Sequence, residues 1–185
     1  MRKIMVAVLA CLFLTGCGRR ELEDRRFPTV LVVETGNIRK QEEEKQAQSS
    51  KYIDYGHVKA VILAEDAAED GDALKEILSY LENDPVFARN ILMFVGDEEA
   101  CALAAEDEEK VGMYLEDLAK NQPGGGKEEL ALKDFLNYLH NTEPSIQVPR
   151  LRAEDGEILP GGSVELKQDA APAVHVPVPR GGFRR

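Results

Sequence analysis

The sequence predicts an α+β fold, a mixed β-sheet packed with about four helices in a single domain behind an apolar leader. Three observations carry this. Ile91–Val95 (ILMFV) is an unbroken apolar run stopped by Gly96, the pattern of a strand buried on both faces. Ahead of it, Leu74, Ile77, Leu78 and Leu81 recur at helical spacing in DALKEILSYLEN, with Asp72 as the expected N-cap and Pro85 just past the end. Earlier still, Val58–Leu63 reads as a strand, so strand, helix and strand follow one another as a parallel βαβ unit.

Taken in order, the chain opens with Arg2 and Lys3, an apolar run from Ile4 to Leu14, and the small pair Thr15 and Gly16 before Cys17. As a helix that run rises only about 16 Å, roughly half of a hydrocarbon core, so it reads as a signal peptide over 1–16 and not as a permanent span. Its last four residues, LTGC, resemble the lipobox of bacterial lipoproteins. The resemblance implies that Cys17 is diacylated on sulfur, becomes the new N-terminus and holds the chain at a membrane as a diacylglyceryl cysteine.

Residues 17–27 read as a polar tether with a helical turn, its arginines close enough to the anchor for anionic head groups to attract them. The domain proper is expected over 28–166. Val30–Val33 is a β-branched apolar run, the first buried strand. Residues 37–51 (NIRKQEEEKQAQSSK) show no apolar period and read as an exposed loop with at most a fraying turn. Helices are expected at 98–106 and at 109–120, the latter turning Val111, Met113 or Tyr114, Leu115 and Leu118 inward. NQPGGGK then breaks the chain, and a further helix runs from Lys127 to His140 with Leu132, Phe135, Leu136 and Leu139 on one face. SIQVPRLRAE and GEILPGGSVEL read as short strand-like pieces around turns. Residues 167–185, rich in Pro, Gly and Arg, read as a disordered tail.

Composition narrows the function. The formal charge is −11, and loss of Arg2 and Lys3 with the leader makes the body more acidic still. Such a surface repels phosphate backbones, so no nucleic-acid partner is expected, and membrane residence has to come from acyl chains. Of three cysteines, Cys11 leaves with the leader and Cys17 is the lipid site, which leaves Cys101 among alanines as a buried, inert thiol.

Catalytic signals are thin. GGGK at 124–127 lacks the leading glycine and the following Ser or Thr of a phosphate loop, and Glu128 stands where it would repel phosphate. His57, His140 and His175 lie far apart, so no zinc site and no cofactor is expected. The carboxylate pairs Glu98 with Glu99 and Asp107 with Glu108 read as solvated helix faces. No nucleophile motif appears, and the chain reads as a non-enzyme. His57, at the mouth of a strand, reads first as a structural residue capping the strand end and second as a ligand contact.

Three segments in order carry a further resemblance. Behind the lipobox, Arg20, Glu21, Leu22 and Asp24 form one run; Gly56, His57, Lys59, Ile62 and Glu65 form a second in YGHVKAVILAED; LENDPVFARNILMFVGDEEACALA is the third. Together they resemble the N-terminal domain of the Ger(x)C spore germination lipoproteins, over roughly residues 14–165. The resemblance implies a lipid-anchored accessory subunit of a germinant receptor, non-enzymatic, beside integral membrane receptor subunits on the outer face of the inner spore membrane. It also implies that Arg20, Glu21, Leu22, Asp24, Gly56, His57 and Lys59 are structural motif positions. The rival reading is a lipid-anchored extracytoplasmic small-molecule binding protein, which would need a pocket with convergent polar groups.

Overall fold

A computed structural model describes residues 22–121, 130–141 and 144–167. The leader, Cys17, Arg20, Glu21, the GGGK segment and the tail from 168 lie outside the described residues.

The three most apolar runs form the centre. Strands β2 (Val30–Val33), β4 (Ala60–Ala64) and β5 (Leu92–Gly96) pair in parallel, Val30 against Ala60 and Ala60 against Leu92, and nearly every residue in them is buried. β6 (Ser145–Glu154) adds in parallel to the end of β5, and β7 (Glu157–Lys167) closes the sheet antiparallel to β6, giving the order β2-β4-β5-β6-β7. A separate two-stranded parallel ladder joins β1 (Arg25–Arg26) to β3 (Tyr52–Ile53). The architecture is α+β with a mixed sheet.

Alternation along the strands divides the core in two. Leu31, Val33, Val61, Leu63, Met93 and Val95 face one way and meet Ile38 of α1 (Ile38–Gln48), the apolar stripe of α3 (Gly71–Asn83), and Leu132, Phe135 and Leu136 of α6 (Leu132–His140). Val30, Val32, Ile62 and Phe94 face the other way, under Ala100, Cys101 and Ala104 of α4 (Glu98–Glu106) and Val111 and Leu115 of α5 (Glu108–Asn121). With the short α2 (Glu65–Glu69), the described residues hold six helices, two more than the apolar spacing predicts.

The larger surprise is α1, which occupies the stretch read as a loop. Its residues are strong helix formers, and the Asn37 side chain accepts from the Lys40 N–H at 3.0 Å as an N-cap. Only Ile38 is buried, so there is no apolar stripe to detect; polar side chains do the docking instead. Gln41 Nε2 donates to the Val32 carbonyl at 2.7 Å, and Gln46 both donates to the Lys51 carbonyl and accepts from the Ile53 N–H.

Smaller differences have equally local causes. The cap of α3 is Asp70, not Asp72, its carboxylate accepting from the N–H groups of Asp72 and Ala73 at 3.0 Å. The second strand begins two residues later than Val58, which instead closes a 3-10 turn. Met113 and Tyr114 of α5 face solvent, leaving Val111, Gly112 and Leu115 inside. α6 starts at Leu132 and not at Lys127, because the preceding residues are drawn onto β5: Ala131 bridges Leu92, and Met93 donates to the Leu130 carbonyl at 3.0 Å. The two pieces read as short strands are one long hairpin. Asp155 and Gly156 turn it at φ of 52° and 77°, the two-residue geometry that a following glycine makes easy.

One contact sets the distance between α5 and the sheet. The Thr29 hydroxyl donates to the Glu108 carbonyl at 2.6 Å, and a Cβ added at Gly112 would come within 2.1 Å of the same Thr29 oxygen. Glycine to alanine inside a helix ordinarily stabilises. Here Gly112→Ala forces α5 off β2 and should cost roughly 1–3 kcal/mol, read as a thermal midpoint lower by several degrees than that of the unmodified chain.

Candidate functional site

Where the chain enters the domain, short polar segments that are distant in sequence converge on the β1–β3 ladder. A 3-10 turn at Leu22–Asp24 leads into β1, with Asp24 exposed. Arg25 pairs with Tyr52 and Arg26 with Ile53, and the Asp54 N–H donates to the Arg26 carbonyl at 2.8 Å. Asp54 then acts twice. One carboxylate oxygen receives Arg25 Nη1 at 2.9 Å, and the other accepts from the Gly56 N–H, capping the 3-10 turn Tyr55–His57. An aspartate followed two residues later by glycine forms this local loop readily.

Arg26 reaches across the molecule. Its Nη2 donates to Glu108 at 3.0 Å, and Lys45 of α1 approaches the other oxygen of the same carboxylate at 3.7 Å. Glu108 sits at the first turn of α5, where a negative charge also suits the helix N-terminus. Arg25 and Arg26 are thus held by carboxylates of the body. This differs from the expectation that anionic head groups attract them; the partners lie 29 and 82 residues along the chain, where no local pattern points to them.

Gly56, His57 and Lys59 occupy the same corner. His57 is exposed, and its ring stands edge-on to Phe27, centroids 4.8 Å apart at 68°. Lys59 joins the sheet at both ends of its peptide unit, its N–H donating to the Thr29 carbonyl at 2.8 Å and its carbonyl accepting from the Leu92 N–H at 2.9 Å. Its Nζ donates to Glu116 at 2.6 Å, and Lys120 donates to the other oxygen at 2.9 Å. The Lys59 bond, followed by that of Lys120, holds the Glu116 carboxyl below its usual range. Asp24, Gly56, His57 and Lys59 therefore lie around one entry point, while Cys17, Arg20 and Glu21 fall outside the described residues. Asp54, Phe27 and Glu116 complete the corner and were not singled out by sequence; Glu108, read there as part of a solvated helix face, is instead largely buried between Arg26 and Lys45, because the segment around β1 and α1 covers that end of α5. The Asp54–Gly56 turn is the one local signal that could have found any of them.

Chemically, these are half-exposed ion pairs and ring contacts. Among the described residues, no group of three or more His, Cys, Asp or Glu side chains is placed to hold a metal ion, and no helix is long and apolar enough to cross a membrane. Cys101 is buried with its thiol 3.6 Å from the Gly96 carbonyl. Burial first, and then the carboxylates of Glu34, Asp97 and Glu65, push that thiol up to about 12, so at neutral pH it carries almost no thiolate. His140 lies elsewhere, 3.0 Å from Glu82.

Comparison with known proteins gives one match. Residues 22–153 match the model of the spore germination protein N-terminal domain. No curated protein and no solved structure matches the chain.

Two outcomes follow from this geometry. Asp54→Ala removes both the turn cap and the partner of Arg25, and should cost about 1–2 kcal/mol, most of it from the cap because the ion pair is partly exposed; trypsin should then cut after Arg25 and Arg26 faster than in the parent chain. Thiol reagents near neutral pH should leave Cys101 unmodified until denaturant is added, as followed by mass spectrometry of the peptide that carries it.

Proposed function

The chain belongs to the spore germination protein N-terminal domain family, and on that premise we propose that it is a lipid-anchored, non-enzymatic accessory subunit of a spore germinant receptor. A role in spore germination comes with the family. The finer reading is that Cys17 carries the acyl chains, that the body stands on the outer face of the inner spore membrane, and that it works by contact with integral membrane receptor subunits.

The observation that supports this reading most is how the N-terminal segment meets the body. β1 is paired into the β1–β3 ladder, and both of its arginines are gripped by carboxylates of the domain. From Cys17 to Arg25 an extended chain spans no more than about 29 Å. An anchor at Cys17 would therefore hold the β1–β3 corner close to the bilayer and limit how the domain can turn above it. Two or more acyl chains suffice for stable residence, each buried methylene contributing roughly 0.8 kcal/mol. Around this corner the exposed groups suit contact more than reaction: a histidine set edge-on against a phenylalanine, and lysines already paired with Glu116.

The test is Cys17→Ala in sporulating cells. The variant should move from the membrane to the soluble fraction, and nutrient-triggered germination should fall with it. Unchanged membrane retention of the variant, or a mature parent chain that begins at another residue and carries no lipid mass, would overturn the proposal.

A further inference from the structure

Beside the β1–β3 corner, a cleft of about 520 Å³ opens between α1, β3 with its 3-10 turn, and the loop after α3. Its size falls within the range that encloses small organic molecules. The walls are apolar: Ile53 and Phe87 are buried at its base, and Val86 stands 46 % exposed at its rim. Phe87 lies 6.4 Å from the Tyr55 ring, so two aromatic rings meet in the cleft, and the Tyr80 ring backs Phe87 at 6.2 Å from outside it.

The polar groups set into these walls all have the same sign. Glu42, Glu43, Asp54 and Asp84 line the cleft, and none of its lining residues is basic. Asp54 is already occupied by Arg25 and the Gly56 N–H, and Asp84 accepts from the Val86 N–H. Glu42 differs. One of its oxygens accepts the Tyr80 hydroxyl at 2.6 Å; the other is shut off from water with no hydrogen-bond partner, and so is the Tyr55 hydroxyl. Glu42 makes no ion pair within contact distance among the described residues; burial first, and then Asp84, raise its carboxyl above the usual range against the opposing Tyr80 bond and the more distant charges of Lys45 and Arg39. A buried carboxylate oxygen without a donor is costly, and a donor bearing positive charge relieves it best. The last torsion of a glutamate is soft, so that oxygen can turn toward a donor in the cleft.

We propose that this cleft binds a small organic cation, an ammonium group on an apolar body, with Glu42 as its counter-ion. The ammonium would take the Glu42 oxygen once it turns into the cleft and lie against the rings of Tyr55 and Phe87, where a cation is attracted to the ring electrons. The apolar body would cover Val86. The cleft would bind such a cation whether or not the chain carries a lipid, because every group involved belongs to the folded body.

The test uses the full chain in detergent micelles, titrated calorimetrically with benzylamine, benzyl alcohol and benzoate. Benzylamine should saturate one site, and the uncharged and anionic probes should not. Glu42→Gln keeps an oxygen for Tyr80 and should weaken benzylamine by about tenfold or more. Val86→Lys, at an exposed position that folding does not need, places an ammonium of the chain's own at the rim and should abolish binding. Absence of saturation by benzylamine, equal binding of the three probes, or unchanged binding in both variants would each overturn the proposal.

Discussion

Three adjacent strands with no face left for water govern this molecule. β2, β4 and β5 bury almost every side chain they carry, so the sheet needs a helical layer above and another below. That demand explains why α3 and α6 present unbroken apolar stripes to one side, and why α4 is built of alanine and cysteine where it lies close against the other. It also explains the glycine in the middle of α5, since a helix brought within contact distance of Thr29 has no room for even a methyl group. The spacing between layers, and through it the position of Glu108 under Arg26, is set at that contact.

How much of this was legible follows from which forces leave a local trace. The central strands and the stripe of α3 could be read directly, because burial writes apolar runs and periods into consecutive residues. α1 could not be read, because it is attached by Gln41, Gln46 and Glu42 and buries one side chain. Polar docking of this kind looks like any solvated charge run. The hairpin was half-legible: Asp155-Gly156 is a turn signal, but the length of pairing on either side depends on partners that only the fold supplies. The corner at β1 was least legible, although its motif positions were visible. Asp54 and Gly56 lie close enough in sequence to suggest a turn, whereas Arg25 meets Asp54, and Arg26 meets Glu108, only because the fold brings distant segments together.

Division of labour between the two sides of the molecule is a second consequence. The face under α4 and α5 sets the alanines of α4 and an inert thiol against Ile62, Phe94 and Leu115. The face under α1 has buried aromatic side chains, an incompletely satisfied carboxylate and a cleft. The segment leading toward Cys17 enters the domain beside that second face, so the part of the body least saturated in its own contacts is also the part nearest to where a membrane anchor would hold it.

β7 bears on how copies of the chain behave in company. It is the last strand of the sheet, and its outer edge carries Pro160, a Gly161–Gly162 kink with φ of 90° at Gly162, and the charges of Glu157, Glu165 and Lys167. On a surface, where molecules diffuse in two dimensions and share one orientation, a flat and regular edge would invite strand-by-strand stacking into sheets that span neighbours. A proline without a donor, a bent backbone and charged side chains along the rim make such stacking unfavourable, so crowding need not become clumping.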